Sequence, residues 1–206
     1  MTVAIALKDG DDLFLATDCA VGGLPVKELT DHKIQHAATL PLAWAGAGDE
    51  AISQQFGRWL NEQVAQSPTA ALDWDGLVRA TVERLAQLNG VRTRAAGLNH
   101  ITFDPTGDLC QILMVGYVSG IAEIVHLGVK GDWTLHVVGG RSFAAIGSGS
   151  DHAATIYALL KERGLLPENG ADAIREVATL ATRYAPHCQL PVRIVKVTPT
   201  EVMQVQ

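Results

Sequence analysis

The sequence has 206 residues, of which 48% are apolar, and this combination predicts a single domain spanning residues 1–206 with a sizeable buried core. Its formal net charge of −6 argues against nucleic-acid binding. No apolar run approaches the length of a membrane span and no secretory signal pattern opens the chain, so we expect a cytoplasmic protein with no membrane partner.

Cysteine and histidine usage argues against a disulfide framework or a metal site. The cysteines, Cys19, Cys110 and Cys188, lie far apart and form no CxxC pair, so we expect them to be reduced and mostly buried. None of the seven histidines stands at a spacing typical of metal ligands. The sequence therefore predicts no catalytic metal and no cofactor.

The first predicted elements form a β-hairpin. Residues 2–7 alternate as a strand does, residues 8–12 supply a turn rich in Asp and Gly, and residues 13–16 are a second apolar run. That run delivers Thr17 and Asp18 at its end. Because the hairpin folds back on itself, we expect Asp18 to return towards Thr2.

Thr2 carries a chemistry that depends on its position. Removal of Met1 would leave the Thr2 hydroxyl beside a free α-amine, whose pKa of about 7.7–8.0 makes it a proton acceptor at neutral pH. A hydroxyl at its ordinary acidity is a poor nucleophile, and the adjacent amine supplies the base that it needs. The start of the chain is therefore compatible with a nucleophile that carries its own base. Taken alone, Thr2 fits an ordinary exposed start of an edge strand better, and the prediction of a nucleophile depends on Asp18 and Lys33.

Lys33 opens the next predicted strand, residues 33–36, and residues 41–46 are its expected partner. A strand that begins at Lys33 would bring an ammonium group into the corner that holds Thr2 and Asp18. That positive charge would disfavour protonation of the amine and favour the ionised hydroxyl, while Asp18 would fix and neutralise it.

The first predicted helix is headed by Asp49 and Glu50 and is closed at residues 67–68. Its apolar positions recur at helical spacing, which predicts one buried face. These positions are Ile52, Phe56, Trp59, Leu60 and Val64. We expect Trp59 to lie in the core or in an interface.

The second predicted helix begins near residues 73–75 and ends at Asn89–Gly90, a favourable carboxy-terminal cap. Trp74, at its start, is expected in the core or in an interface. Residues 92–107 are predicted to form an extended loop or an extra hairpin, because their Asn, Asp, Pro and Gly residues favour turns.

An antiparallel meander is predicted over residues 111–145, with turns at 118–120, 131–132 and 139–140. A third helix is expected over residues 150–163, with Gly147-Ser148-Gly149 at its start. A fourth helix is expected from Asp172 to Ala181. The last strands are predicted at residues 192–197 and 202–205.

The order of these motifs resembles the proteasome-type branch of the N-terminal-nucleophile (Ntn) hydrolases, and the resemblance spans essentially the whole chain. The similarity is greatest to bacterial members such as the heat-shock-locus peptidase. The matching pieces are Thr2, Thr17-Asp18, Lys33-Ile34, Ala45-Gly46 followed by Gly48-Asp49, the hairpin at 111–131, and Gly147-Ser148-Gly149.

The resemblance implies an α+β fold, a four-layer αββα sandwich of two antiparallel sheets flanked by helices. It implies a threonine peptidase subunit in which Thr2 is the nucleophile, Lys33 and Asp18 activate it, the Gly46 amide binds the oxyanion, and Ser148 contacts the amine. It also implies peptide or unfolded protein substrates, a homo-oligomeric ring that encloses the active sites, and an ATP-dependent unfoldase as a partner.

Two features depart from the family pattern and leave alternatives open. Residues 185–191 lack the Asp and the Ser-Gly that typical catalytic subunits carry before the penultimate strand. Residues 2–9 also resemble the stretch that begins at the third residue of archaeal subunits, a register without a nucleophile; the ungapped register keeps the family's separation between Thr2 and Asp18. The alternatives are an inactive ring-forming subunit and an Ntn amidohydrolase that acts on a small amide.

Overall fold

The computed structural model describes residues 2–21, 28–29, 33–66, 74–98, 109–118, 120–128, 133–135, 141–185 and 188–205. Within these ranges the chain is a mixed α+β protein. Its strands are β1 (Ala4–Asp9), β2 (Asp12–Asp18), β3 (Ala20–Val21), β4 (Glu28–Leu29), β5 (Ile34–His36), β6 (Leu42–Gly48), β7 (Cys110–Val118), β8 (Ile121–Leu127), β9 (Trp133–Leu135), β10 (Ser142–Ile146), β11 (Val192–Val197) and β12 (Val202–Val205). Its helices are α1 (Glu50–Gln66), α2 (Trp74–Leu98), α3 (Ser150–Glu162) and α4 (Gly170–Tyr184).

Two five-stranded antiparallel sheets form the centre of the protein. The first has the order β10-β1-β2-β11-β12, and the second has the order β5-β6-β7-β8-β9. Strands β3 and β4 pair separately. The predicted pairing of residues 33–36 with residues 41–46 is confirmed, since β5 pairs with β6 and Ile34 lies opposite Ala45.

The predicted amino-terminal hairpin is confirmed. Strand β1 pairs with β2 in the antiparallel sense, with Ala4 opposite Thr17 and Asp9 opposite Asp12. The turn takes only two residues instead of the predicted five, and Gly10 has a φ of 63°, in the left-handed region that glycine adopts at little steric cost. The tight turn fixes the register, and the register returns the end of β2 to the start of β1.

Among the described residues, apolar side chains form three buried clusters. One joins α1 and α2 to the second sheet, with Trp44 and Phe56 fully buried in it. Another joins α3 and α4 to the first sheet. The last lies between the two sheets and is rich in alanine, including Ala6, Ala45 and Ala144. Small side chains let the two backbones approach closely, and this arrangement is compatible with a layered sandwich.

The ends of three helices show the capping that their sequences favour. The Asp49 carboxylate accepts hydrogen bonds from the first turn of α1, and the predicted apolar stripe of that helix is confirmed. Helix α3 stops before Gly164, whose φ is 65°. Helix α4 begins two residues before the predicted start, because the Asn169 side chain caps it. Trp59 packs against the α1–α2 core as expected, whereas the side chain of Trp74 lies outside the described residues.

The predicted end of α2 is wrong. The helix continues through Asn89 and Gly90 to Leu98, so residues 92–98 are helical and not a loop. Gly90 does not adopt the positive φ that a glycine cap requires. The next residues include Arg and Ala, which are good helix formers, and they extend the helix. The rest of the predicted loop, residues 99–107, lies outside the described residues.

The predicted meander is correct for β7, β8 and β9, which pair in chain order. It is wrong for β10, which leaves that sheet and pairs with β1 in the other one. Its register sets Ile146 opposite Ala4 and buries Ala144 between the sheets. The last two strands match their predicted bounds. The predicted turns at 131–132 and 139–140 lie outside the described residues.

Candidate active site

The end of β2 and the start of β1 form the floor of a polar corner. The Val3 amide donates to Asp18 Oδ1 at 3.0 Å, and the Asp18 amide donates to the Val3 carbonyl at 3.2 Å. These bonds place Asp18 beside the residue that precedes Val3, which is Thr2. The expectation that the hairpin brings Asp18 towards Thr2 is met by this geometry.

Lys33 connects the carboxylate to the hydroxyl. Its Nζ atom lies 2.8 Å from Asp18 Oδ1 and 3.1 Å from Thr2 Oγ1, so one ammonium group donates to both oxygens. The side chains of Lys33 and Asp18 are 7% and 0% exposed, and Thr2 is also buried. An ion pair shielded from water in this way is screened far less by salt than a surface pair.

Asp18 is surrounded by hydrogen-bond donors. Besides Lys33 and the Val3 amide on Oδ1, Oδ2 accepts from the amides of Ala20 at 3.1 Å and Gln189 at 3.3 Å. Donors of this kind satisfy a buried carboxylate and hold it in one orientation. Residues 185–191 lack the Asp and Ser side chains that the family pattern places near the site. The backbone amide of Gln189 in this segment nevertheless donates a hydrogen bond to Asp18.

Glycines at the start of α3 accommodate the backbone of Thr2. The Gly149 amide lies 3.4 Å from the Thr2 carbonyl oxygen, to which it donates. Gly147 has a φ of 88°, and a Cβ atom there would collide with the same carbonyl and press on Ala47 at 3.0 Å. The glycines of this motif therefore let the turn approach the backbone of Thr2 closely, which a residue with a Cβ atom would prevent.

A side chain that sequence reasoning missed holds this turn in place. The Gln111 Oε1 atom accepts a hydrogen bond from the Gly147 amide at 3.3 Å. Gln111 stands on β7 opposite Ala47 of β6, so the turn contacts both strands. Nothing in the residue type or spacing of Gln111 distinguishes it from other polar residues on strands.

Gly46 lies on β6, one residue past the point at which the β5 ladder ends at Ala45. Continuing the register by one residue sets Lys33 opposite Gly46. Ser53 of α1 packs so closely on Gly46 that a Cβ atom at position 46 would collide with it. The sheet thus brings Gly46 to the corner, while its role as an oxyanion donor stays a prediction.

Ser148 is exposed on the turn between β10 and α3. The predicted contact between Ser148 and the amine of Thr2 stays a prediction, because Met1 lies outside the described residues. The structure thus brings Thr2, Asp18 and Lys33 into direct contact and places Ser148 on the glycine turn that supports Thr2.

The buried Cys188 thiol lies beside the corner. Burial and, after it, the negative charge of Asp18 raise its pKa, Lys33 opposes the increase, and the net pKa is about 11. The thiol is therefore protonated at neutral pH and is a weak nucleophile. All three cysteines are buried, as expected, and no disulfide joins any two of them.

Other features of the described residues lie outside the corner. A cavity of about 270 Å³ between α1 and α2 shares no lining residue with it. No group of three or more His, Cys, Asp or Glu residues within the described ranges could hold a metal ion. None of the described helices combines the length and apolarity needed to cross a bilayer.

No family model matches this chain, and a search of curated proteins finds no match either. The functional assignment therefore depends on the geometry of the corner and on the sequence order that produces it.

Proposed function

We propose that this chain is a threonine peptidase of the proteasome-type Ntn family, a subunit of a self-compartmentalising bacterial complex that cleaves peptide bonds with Thr2. One observation carries the proposal. The Lys33 ammonium donates to the Thr2 hydroxyl and to the Asp18 carboxylate in a corner that is almost closed to water. Because Lys33 donates to Oγ1, the hydroxyl proton is left free for transfer to a base.

The fold is compatible with this family. Two antiparallel sheets face each other across an alanine-rich core, and each sheet carries two helices on its outer face. This arrangement supports the proposed four-layer αββα sandwich. The first sheet contributes Thr2 and Asp18, and Lys33 precedes the edge strand of the second.

The proposed mechanism begins when loss of Met1 frees the α-amine of Thr2. The amine takes the hydroxyl proton, directly or through one water, while Oγ1 bonds to the substrate carbonyl carbon. The Lys33 ammonium stabilises the developing alkoxide. The Gly46 amide would stabilise the oxyanion, a contribution that typically changes the rate by about 10²- to 10³-fold.

The tetrahedral intermediate then collapses. The carbon–nitrogen bond breaks, the protonated amine of Thr2 returns its proton to the leaving amine, and an ester links the acyl group to Oγ1. A water molecule, deprotonated by the same α-amine, attacks the ester. The bond between the acyl carbon and Oγ1 then breaks, the protonated amine returns its proton to Oγ1, and the acid is released. Each proton that the amine takes is given back within the cycle, and no step calls for a metal or a cofactor.

A peptidase site exposed on a free subunit would cleave other proteins. The proposed partners are therefore ones that restrict access to it. A closed homo-oligomeric ring would confine the nucleophile to an interior chamber, and closed symmetry is usual for soluble homo-oligomers. Short peptides would enter freely, whereas folded proteins would need an ATP-dependent unfoldase.

Substitution of Thr2 tests the proposal. We expect Thr2→Ala to abolish hydrolysis of fluorogenic peptides without unfolding the chain, and Thr2→Ser to keep part of the activity. Thr17 offers a matched control, because its hydroxyl is buried on the same hairpin and forms no hydrogen bond with any residue that the structure describes. Thr17→Val should therefore cleave peptides at the parental rate.

Intact mass must show the loss of Met1 in the active protein, and native mass must show a ring. Parental rates in Thr2→Ala would contradict the nucleophile assignment. A folded protein that retains Met1 and cleaves nothing would instead favour the inactive ring-forming subunit. A monomer that hydrolyses small amides but not peptides would favour the amidohydrolase.

A further inference from the structure

Gln111 stands at the end of an otherwise apolar row between the two sheets. It lies on β7 opposite Ala47 of β6, and Ala47 is buried in the alanine-rich cluster between the sheets. Residues opposite each other on neighbouring antiparallel strands point to the same face of a sheet, so the side chain of Gln111 also points towards the first sheet. Further along β7, Leu113 and Val115 point the same way and belong to the same cluster. Gln111 thus places an amide group where this row reaches the turn before α3.

The side chain of Gln111 holds the turn that supports Thr2. Its Oε1 atom accepts a hydrogen bond from the Gly147 amide at 3.3 Å. Two residues later, the Gly149 amide donates to the Thr2 carbonyl at 3.4 Å. These two hydrogen bonds connect the second sheet to the backbone of Thr2. Because the carbonyl, the side chain and the α-nitrogen of Thr2 are attached to one Cα atom, a shift of the carbonyl moves the hydroxyl and its base as well.

The turn has little conformational preference of its own. Two of its three residues are glycines, and glycine has the widest choice of backbone angles. The Gly147 carbonyl accepts from the Ser150 amide at 3.0 Å, which ties the turn to α3. The bond from Gln111 to the Gly147 amide ties it to the second sheet. Loss of that bond would therefore let the turn move relative to the second sheet.

The same residue is also connected to the strand of the expected oxyanion donor. Gly46 directly precedes Ala47 on β6, and Ala47 pairs with Gln111. We propose that Gln111 is a positioning residue, which sets the distance between the Thr2 hydroxyl and the Gly46 amide. The hydroxyl belongs to the first sheet and the amide to the second, and Gln111 holds one against the other. The proposal rests on the proposed function, because this distance matters only if Thr2 attacks a carbonyl whose oxygen Gly46 binds.

The expected effect falls on the rate of attack. The substrate carbonyl carbon must lie within reach of Oγ1 while its oxygen accepts from the Gly46 amide, and a misplacement of about 1 Å can lower such a rate by about 10²-fold. Without the bond from Gln111, Thr2 would be held less firmly, so kcat should fall by about 10- to 100-fold. KM should stay within about twofold, because the bond acts on Thr2 and not on the substrate.

Gln111→Met and Gln111→Glu are a matched pair of variants. Methionine has nearly the length of glutamine but only a weakly accepting sulfur, whereas glutamate keeps both the shape and an oxygen acceptor. We expect Gln111→Met to show the loss of kcat, and Gln111→Glu to recover kcat to within a few-fold of the parent. Rates are compared at the pH optimum of each variant, because the charge of glutamate would raise the pKa of the Thr2 amine.

Parental kcat in Gln111→Met, or equal losses in the two variants, would overturn the proposal. A rise in KM at constant kcat would contradict it too, because the residue would then act on substrate binding. Urea unfolding of each variant separates a loss of kcat from a loss of the folded state.

A measurement without substrate separates failure of this inference from failure of the proposed function. Hydrogen exchange at single amides, read by mass spectrometry with fragmentation, reports how firmly the amides of Gly147 and Gly149 are held. In Gln111→Met both should exchange several-fold to about tenfold faster, which is the usual contribution of one hydrogen bond. Gln111→Glu should restore the parental rates. The amides of β10 are the control, because their strand pairs with β1 and not with β7.

Parental exchange at Gly147 in Gln111→Met would overturn the inference even in an inactive protein. Faster exchange at Gly147 but not at Gly149 would refute the transmission to Thr2, and faster exchange along β10 would show a general loosening and contradict a local role. The expected exchange in a protein without peptidase activity would support the hold of Gln111 on Thr2 and refute only the proposed function.

Discussion

Replacing Asp18 by Asn should lower the free energy of unfolding by about 3–5 kcal/mol. This is a large part of the total, since proteins usually have a free energy of unfolding of about 5–15 kcal/mol. Asparagine has nearly the same shape, but it carries no charge, and its amide nitrogen cannot accept hydrogen bonds. Asp18 is fully buried and accepts from Lys33 and three backbone amides. The substitution would leave the Lys33 ammonium, 7% exposed, without its counter-charge and would leave some of the amides unsatisfied.

The chain offers a matched control at its surface. Asp12 Oδ2 lies 2.7 Å from Lys196 Nζ, nearly the same separation as in the buried pair, but the two side chains are 41% and 30% exposed. Water and salt weaken an exposed pair, so Asp12→Asn should cost at most about 1 kcal/mol. The difference between the two substitutions isolates the effect of burial.

Urea unfolding at neutral pH measures both costs as the product of the m-value and the midpoint. A cycle with Lys33→Met adds a second test, because the double variant removes both buried charges together and should be more stable than the sum of the single losses predicts. A loss in Asp18→Asn no larger than in Asp12→Asn, together with an additive cycle, would refute the view that Asp18 and Lys33 form a buried, coupled pair.

The remaining predictions concern the glycine turn and a buried phenol. Gly147→Ala should lower both stability and peptide cleavage, because its Cβ would displace the carbonyl of Thr2. Gly164→Ala, which also has a positive φ but open space around it, should cost only about 1–2 kcal/mol and leave cleavage unchanged; equal effects in urea unfolding and peptide assays would contradict this. Burial raises the pKa of Tyr117 to about 12, so the folded state keeps the phenol proton more tightly than the unfolded state. The resulting stability is complete below about pH 10 and is lost as the pH rises to 12. Tyr117→Phe should flatten that alkaline loss in urea unfolding at several pH values. At neutral pH it should cost nothing, because none of the described residues forms a hydrogen bond with the hydroxyl.

Element ends that depend on a turn or capping residue nearby in the sequence were predicted correctly. The Gly10 turn, the Asp49 cap and the stop at Gly164 each involve interactions within a few residues, and the structure has all of them. The end of α2 was predicted wrongly for the same reason. An Asn-Gly pair favours a cap, but it does not prevent a helix from continuing when good helix formers follow.

Long-range pairing left weaker signals in the sequence. The strand β10 follows β9 in the chain, and its apolar composition fits either sheet, so it was predicted in the wrong one. What decides its place is the fit of Ala144 into the space between the sheets. Such a fit depends on side chains distant in sequence, and periodicity within one strand does not report it.

The residues of the candidate site also fall into those that the sequence predicted and those that it did not. Thr2, Asp18 and Lys33 were predicted from side-chain chemistry and order, and they are in contact. The contribution of Gln189 was missed because its backbone amide acts, and every residue except proline has one. Gln111 was missed because a polar residue on a strand has many ordinary roles.

The contact between Lys33 and Thr2 depends on the packing of the two sheets. Thr2 precedes β1 in the first sheet, and Lys33 precedes β5 in the second. The 3.1 Å hydrogen bond between Lys33 Nζ and Thr2 Oγ1 therefore connects the two sheets. Small residues such as Ala45 fill the core between them, and a close-packed core deforms little. An ångström of extra spacing would take the ammonium out of hydrogen-bond range of the hydroxyl. The alanine-rich layer therefore sets the spacing that the proposed activation of Thr2 by Lys33 requires.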